Sequence, residues 1–195
     1  MLTRPGFVYH RLNKTDVVLL VVDIQVGLFH MVRDSLPEEY RNAALAHSSI
    51  GTLFSLPVIL TTSAETGPNG PLPKEIISQH ATAPLVKRNG EVNAWDNSEF
   101  RAAVRATGKK QVILAGITTD VCTTFLALSL RQEGYQVFAN TDASGTFSRR
   151  IADEANQRMR DAGVQTLSMF AIVTELMRDW RDTPGAETVL PFFDK

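Results

Sequence analysis

Runs of consecutive apolar residues alternate with amphipathic stretches along most of the chain. The first run, Asp16-Val17-Val18-Leu19-Leu20-Val21-Val22-Asp23, is almost unbroken, as in strands that are buried on both faces of a parallel sheet. Shorter apolar runs predict further strands at 57–62, 84–88, 111–115, 135–140 and 164–167. Helical periodicity predicts helices at about 37–56, 74–80, 97–108, 120–133, 148–162 and 170–181.

Because these strands and helices alternate and are joined by short links, the pattern predicts a parallel sheet with helices on both faces. No linker rich in proline or glycine divides the chain. We therefore expect a single α/β domain, residues 1–195, with five or six strands. The tail from about residue 183 to 195 is unusually apolar for a free end, and we expect it to contact a neighbouring subunit of a homo-oligomer.

Composition narrows the possible partners and surroundings. The 195 residues are 44% hydrophobic and 21% charged, which is typical of a soluble globular domain. The net charge of −1 and the lack of a basic run argue against binding to nucleic acid or to an anionic membrane. No apolar run approaches the length of a membrane span. The single cysteine excludes an internal disulfide, and the N-terminus lacks the pattern of a signal peptide, so we expect a cytoplasmic protein.

Several common cofactor and nucleophile motifs are missing from the sequence. There is no GxGxxG, no GxxxxGK[ST] and no GxSxG. The four histidines are scattered, without the spacing that a metal site needs. We therefore expect no cofactor and no metal, and a small molecule as the substrate.

Cys122 lies where a predicted strand turns into a predicted helix. The positive end of a helix dipole and unpaired backbone N–H groups favour thiolate, the nucleophilic form of cysteine. A lone cysteine is also commonly no more than a small buried hydrophobe. Position alone leaves both interpretations open.

Asp23, Lys87 and Cys122 each lie at or just beyond the carboxyl end of a different predicted strand. Carboxyl ends of parallel strands meet at one edge of the sheet, where ligands bind. An aspartate could take the thiol proton and return it to a leaving amine, while an ammonium group stabilises the thiolate. The backbone N–H groups of Thr118 and Cys122 could bind an oxyanion. From spacing alone, such a set also arises by chance in α/β proteins.

Loops that follow the predicted strands supply candidates for a substrate pocket. These are Gln25, Phe29, Asn93, Trp95, Thr118 and Thr146. For each of them, core packing or loop capping is the competing interpretation, although aromatic residues often line such sites.

Eight segments in order resemble the isochorismatase-like cysteine hydrolases, which include nicotinamidases and N-carbamoylsarcosine amidases, and most resemble their YcaC-type subgroup. The similarity covers roughly residues 7–182, and its segments are 21–25, 60–63, 67–71, 85–88, 93–97, 115–122, 141–147 and 175–180. The resemblance implies a three-layer α/β/α fold with a mostly six-stranded parallel sheet. It also implies an Asp23–Lys87–Cys122 triad and a cis peptide bond between Ile117 and Thr118 that shapes the oxyanion hole.

Two departures from the family reduce the number of reactions that we expect. Nicotinamidases hold a metal through histidines near the site, but the loop 62–66 reads Thr-Ser-Ala-Glu-Thr, without a histidine. Isochorismatases proper carry glycine in place of Cys122. The leading hypothesis is a metal-free cysteine hydrolase that cleaves a small amide, nitrile or ester through a Cys122 thioester. The alternative is a catalytically weak ligand-binding or scaffold protein with the same fold. A redox role lacks a second cysteine in the chain.

Overall fold

A parallel sheet of six strands forms the centre of the computed structural model, which describes residues 9–193. Its strands are β1 (Val17–Val22), β2 (Val58–Ser63), β3 (Leu85–Arg88), β4 (Gln111–Gly116), β5 (Gln136–Asn140) and β6 (Gln165–Leu167). They lie in the order β3-β2-β1-β4-β5-β6, and every neighbouring pair is parallel. The predicted fold class is confirmed, with the larger of the two expected strand numbers.

Seven α-helices surround this sheet. They are α1 (Pro37–Leu53), α2 (Lys74–Gln79), α3 (Ser98–Ala106), α4 (Thr124–Gln132), α5 (Arg149–Asp161), α6 (Met169–Met177) and α7 (Ala186–Phe193), all within the described residues. Asn97 begins α3 by accepting a hydrogen bond from the backbone N–H of Phe100 at 2.9 Å, a helix cap that its side chain is suited to make. None of the helices within residues 9–193 has the length and the apolar content needed to cross a membrane.

The central strand β1 divides the hydrophobic core into two layers. Val17, Leu19 and Val21 pack into one cluster with residues of α1 and α6. Their neighbours in the strand pack into a second cluster with residues of α3, α4 and α5. All six residues of β1 are buried, because successive side chains of a strand point to opposite faces and both faces are covered. This explains the unbroken apolar run in the sequence.

The C-terminal segment packs on its own chain. Val189 of α7 is fully buried and belongs to the same cluster as α1 and α6. Our expectation of a tail that docks on a neighbouring subunit therefore stays a prediction for the exposed residues of α7, while Val189 packs on its own chain. Burial of an apolar helix face within one chain explains the apolar composition. Residues 194 and 195, which were part of that expectation, lie outside the described residues.

Strand register brings the candidate site together at the carboxyl edge of the sheet. Val22 at the end of β1 is paired with Thr61 of β2 on one side and with Gly116 of β4 on the other. Asp23 therefore lies between the end of β2 and the turn that follows β4. The end of β3 comes next, since Ser63 is paired with Arg88.

Candidate active site

Asp23 is fully buried at the first residue after β1. Its backbone N–H still donates to the carbonyl of Thr61 at 3.0 Å, but its φ of 52° turns the chain out of the strand. This left-handed conformation is uncommon for residues other than glycine, although aspartate tolerates it better than most. Such conformations cluster at functional sites.

Arg88 at the end of β3 is the cationic partner of Asp23. Its Nη2 lies against both carboxylate oxygens, and both side chains are fully buried. The remaining donors are also engaged, because Nε donates to Oγ1 of Thr61 at 3.0 Å and Nη1 donates to the carbonyl of Glu91. A guanidinium that satisfies several acceptors in fixed directions offsets the cost of burying the ion pair.

Lys87 does not reach this site, which corrects its prediction as the cation of the triad. Its side chain is 58% exposed, and Nζ pairs with Oε1 of Glu65 at 2.8 Å. The reason is the two-residue period of a strand, since Arg88 and Val86 face the interior while Lys87 faces the other way. One feature of the sequence indicates that Arg88 faces inward: the apolar Val86 lies on the same face of the strand as residue 88.

Cys122 lies in a single π-helical turn, Thr119–Thr123, between β4 and α4. Such turns often occur at functional sites. Asp23 and Cys122 line the same cavity, and the carboxylate of Asp23 raises the pKa of the Cys122 thiol. The cysteine residue is neither fully buried nor exposed. Carboxylate and thiol therefore lie beside each other, and Arg88 is paired with the carboxylate.

The surroundings of this pair favour the thiol form of Cys122. Burial is the main factor that raises the pKa of the Cys122 thiol, and the negative charge of Asp23 raises that pKa further. Arg88 and a hydrogen bond from the backbone of Thr118 act in the opposite direction but are outweighed. Burial also raises the pKa of Asp23, against the effect of the Arg88 charge. Helix position, which favours thiolate, therefore meets an opposing effect of burial and of a nearby carboxylate.

The backbone before the cysteine curls around the thiol. The peptide bond between Ile117 and Thr118 is cis. The carbonyl of Thr118 accepts hydrogen bonds from the N–H groups of Val121 at 3.4 Å and Thr123 at 3.1 Å. These bonds hold the carbonyl of Thr118 against the turn that contains Cys122.

A cavity of about 370 Å³ opens above the sulfur of Cys122. Its lining is mainly apolar, with Asp23 and Cys122 at one end. The lining residues are Asp23, Leu28, Met31, Ser63, Ala64, Asn69, Gly90, Val92, Ile117, Thr118, Val121, Cys122 and Phe147. Of the predicted pocket residues, only Thr118 is among them. Within residues 9–193, no three side chains of His, Cys, Asp or Glu are grouped so that they could hold a metal ion.

Two of the predicted pocket residues instead hold loops in place. Gln25 is fully buried, where its amide accepts from the N–H of Ser63 at 2.8 Å and donates to the carbonyls of Ser63 and Gly70. Asn93 donates to Ser129 at 2.9 Å and accepts from the backbone N–H of Trp95 at 3.0 Å. The polar groups of these side chains are used within the protein, so the pocket prediction was wrong for both.

The other three predicted pocket residues are packed inside the protein. Phe29 meets Tyr40 edge to face, with ring centroids 5.6 Å apart. Trp95 is buried in the second cluster and meets two further aromatic rings edge to face. Thr146 is fully buried and donates to Asp120 at 2.7 Å. Core packing, the competing interpretation, accounts for the two aromatic residues.

Sequence reasoning missed the residues that form the pocket wall. Leu28 and Met31 belong to a 3₁₀ turn, Val26–Met31, whose tight geometry was not predicted. A 3₁₀ turn has three residues per turn instead of 3.6, so it directs a given side chain differently from an α-helix or an open loop. The sequence alone did not show which of these side chains would face the cavity. Val92 and Phe147 are large apolar residues in loops. Their apolar character in a loop was the one feature of the sequence that could have indicated a pocket wall.

Comparison with known proteins places this geometry in a family. Residues 17–173 match the model of the isochorismatase domain. The chain belongs to the isochorismatase family, and it is a hydrolase of that family. The YcaC-type resemblance is confirmed as well, since the chain is 48% identical over 189 residues to the probable hydrolase YcaC of Escherichia coli (strain K12), covering 96% of this chain and 89% of that protein.

Solved structures and a further relative extend the comparison. The crystal structure of Escherichia coli YcaC, described as an octameric hydrolase of unknown specificity, has a TM-score of 0.92 at 48% identity, covering 98% of this chain and 91% of the other. YcaC from Pseudomonas aeruginosa, solved with hexane-2,5-diol and covalent acrylamide, has a TM-score of 0.89 at 51% identity, covering 90% and 87%. Nicotinamidase 3 of Arabidopsis thaliana is 26% identical over 160 residues, covering 71% and 78%.

Proposed function

We propose that this protein is a metal-free cysteine hydrolase that cleaves a small amide, or a nitrile or ester, through a thioester on Cys122. The observation that carries the proposal is that Cys122 shares its cavity with the buried carboxylate of Asp23, which is in turn paired with Arg88. This unit opens on a cavity of about 370 Å³. A nucleophile, a base in contact with it and a group that orients the base are the parts that covalent catalysis requires.

In the first half of the reaction, Cys122 is acylated. The carboxylate of Asp23 takes the thiol proton as sulfur attacks the carbonyl carbon of the amide. The carbonyl oxygen becomes an oxyanion, for which the backbone N–H groups of Thr118 and Cys122 are the proposed donors. When the tetrahedral intermediate collapses, the C–N bond breaks, and the nitrogen takes the proton from Asp23 and leaves as an amine or as ammonia.

In the second half, water removes the acyl group. Asp23, again a carboxylate, takes a proton from water as the water oxygen attacks the thioester carbon. The C–S bond breaks, a carboxylic acid leaves, and Cys122 regains the proton from Asp23. Arg88 stays a cation throughout, since guanidinium does not deprotonate in proteins. Its role is to hold Asp23 in place and to balance its charge.

The relatives support amide chemistry on the one hand and a reactive nucleophile on the other. Nicotinamidase 3, by its name, acts on an amide. The Pseudomonas aeruginosa structure contains covalent acrylamide, a small primary amide. A protein of this fold with weak turnover is the second candidate, and the raised pKa of the Cys122 thiol is the observation that favours it.

Trapping the acyl-enzyme tests the proposal. The protein is mixed with acetamide, propionamide or butyramide, quenched in acid within milliseconds to seconds, and digested for mass spectrometry, while ammonia release is followed in parallel. We expect ammonia and an added acyl mass on the peptide that contains Cys122. With hydroxylamine present, the matching hydroxamate should form, because the thioester is open to a second nucleophile.

The Cys122→Ala variant is the control for this experiment, and it should show neither acyl mass nor hydroxamate. Ammonia release by the wild-type protein without either product would contradict the covalent route. No ammonia release across amides, nitriles and esters would favour the weakly active alternative.

We also propose that the chain assembles into a homo-oligomer, supported by the octameric state of Escherichia coli YcaC. Large apolar side chains near the C-terminus are half exposed, among them Phe170 at 47%, Trp180 at 45% and Leu190 at 49%. The rings of Phe170 and Trp180 are in contact, with centroids 6.2 Å apart. Exposed apolar patches of this kind mark subunit contacts.

Light scattering should therefore give a mass that is a multiple of the 21.5 kDa chain. Leu190→Glu should reduce this mass, because it places a charge in the proposed contact. The matched control is Leu36→Glu, which changes a 64% exposed leucine before α1. A wild-type protein that is monomeric at micromolar concentration would rule out the homo-oligomer, and equal masses for both variants would rule out this patch as the contact.

A further inference from the structure

We infer that the pocket above Cys122 selects uncharged substrates with a short apolar acyl group and rejects those that carry a carboxylate. This inference rests on the proposed amide hydrolysis and names the substrate class for the same site. The observation behind it is the chemistry of the pocket wall, which combines Ala64 and six larger apolar side chains with a single charge that is already neutralised.

The wall of the pocket is built from side chains that favour an apolar acyl group. Its larger apolar members are Leu28, Met31, Val92, Ile117, Val121 and Phe147. A cavity of about 370 Å³ lies at the small end of the range for ligand pockets. An acyl chain of a few carbons in such a cavity gains from the removal of its apolar surface from water.

The wall offers no counter-ion to a second charged group on the substrate. Asp23 is its one charged member within the described residues, and that charge is already paired with Arg88. Arg88 in turn has its donors directed at Asp23, Thr61 and the carbonyl of Glu91. The reacting unit is therefore close to neutral before an anion arrives.

Neighbouring charges also lie outside the wall. Lys87 is paired with Glu65 and points away. Arg33 is an exposed residue that stacks on the ring of Phe147, with its guanidinium carbon 5.8 Å from the ring centroid. A carboxylate inside the pocket would lose its hydration without gaining a counter-ion.

The polar atoms of the lining are suited to a neutral group. Ser63 and Thr118 are uncharged, and so is Asn69, which donates to the carbonyl of Ser63 at 2.8 Å. Such groups orient an amide without favouring either sign of charge. The apolar wall, the lack of a counter-ion and the neutral polar groups together favour an uncharged primary amide with a small hydrocarbon acyl group as the substrate class.

Two alkylating reagents of nearly equal size test the charge selection without any need for turnover. Iodoacetamide is neutral and iodoacetate is anionic, and both react with the same sulfur. The second-order rate constants for Cys122 are measured at one pH by intact-protein mass, and their ratio is compared with the ratio for N-acetylcysteine. The ionisation of the thiol cancels in each ratio, so the comparison reports the pocket.

We expect the preference for iodoacetamide at Cys122 to exceed that of N-acetylcysteine by about tenfold or more, because an anion that enters the pocket loses hydration without gaining a counter-ion. Equal ratios would overturn the inference. Hydrolysis of butyramide against succinamate, its carboxylate-bearing counterpart, should show the same order. Because the alkylation ratio does not depend on turnover, failure of amide hydrolysis would leave this ratio as an independent reading of the pocket.

A charge placed in the pocket wall tests whether the wall causes the preference for neutral reagents. Val92 is 53% exposed, so Val92→Lys introduces a cation at the pocket with little change to the core. This variant should lower the preference for iodoacetamide severalfold, because iodoacetate then finds a counter-ion. Ile77→Lys, at an exposed position of α2 outside the lining, is the matched control and should leave the ratio unchanged. If both variants changed the preference for iodoacetamide equally, the pocket wall would not be the cause of that preference.

Discussion

Replacement of Arg88 by methionine should reduce amide hydrolysis by at least about a thousandfold and should lower the free energy of unfolding by about 3–5 kcal/mol. Methionine retains much of the side-chain length but leaves the carboxylate of Asp23 buried without its cation. Removal of one partner of a buried pair is costly because the other charge stays uncompensated. Asp23 would respond by keeping a proton, and a protonated carboxyl cannot accept the thiol proton of Cys122. Urea unfolding and ammonia release measure the two effects.

Lys87→Met is the matched control, because it makes the same change one residue earlier in the same strand. Its ion pair with Glu65 is largely exposed, and exposed pairs contribute about 1 kcal/mol or less. We expect stability and turnover close to those of the wild-type protein. An inactive Lys87→Met variant beside an active Arg88→Met variant would reverse our assignment of the cation.

Arg88→Lys gives a readout even if the methionine variant does not fold. The charge stays, but a single ammonium lacks the directed donors that reach Asp23, Thr61 and the Glu91 carbonyl together. We expect a folded protein with turnover between those of the wild type and the methionine variant. Full activity in this variant would show that charge alone, without the directed hydrogen bonds, positions Asp23.

The sheet was predictable from the sequence because its signal is physical and redundant. β1 is covered on both faces, so every one of its residues had to be apolar, and the run stands out. The same argument places Asp23 and Cys122 correctly, since the ends of parallel strands meet at one edge of the sheet. Their contact needed no knowledge of side-chain direction, because each follows its strand directly or by a short turn.

Side-chain direction in short elements was the part that the sequence could not provide. β3 has four residues, too few for an alternating pattern to show which of Lys87 and Arg88 faces inward. Burial of a guanidinium also contradicts the usual preference for exposed charges, and only the carboxylate of Asp23 makes it favourable. The partner that decides the direction lies 65 residues away in the chain.

The raised pKa of the Cys122 thiol was unpredictable for a related reason. Helix position is visible in the sequence, whereas desolvation and contact with a carboxylate depend on the tertiary structure. Both of these act against the helix dipole and are stronger when the group is buried. The proposed mechanism accordingly starts from a thiol, which passes its proton to Asp23 when it attacks.

Asp23→Asn should separate the reactivity of Cys122 from turnover. The amide cannot take the thiol proton, so hydrolysis should fall by about 10²- to 10⁴-fold, the usual contribution of a general base. The thiol itself should become more reactive towards iodoacetamide at neutral pH. Asp23 raises the pKa of the Cys122 thiol and Arg88 lowers it, so removal of the carboxylate leaves burial as the main raising influence, opposed by Arg88.

The lower thiol pKa expected for Asp23→Asn sets the direction in which its alkylation curve moves with pH. Below the pKa of the thiol, each unit by which that pKa falls increases the thiolate fraction about tenfold. The alkylation curve of Asp23→Asn should therefore lie at lower pH than that of the wild-type protein. Asp96→Asn, at an exposed aspartate outside the pocket, is the matched control and should change neither curve nor turnover. A variant at Asp23 that hydrolyses amides normally, or that alkylates only at higher pH, would contradict the role of Asp23 as base. Faster alkylation combined with lost turnover is the outcome that a proton acceptor in contact with the thiol requires, because the same carboxylate suppresses the free thiolate and enables the reaction.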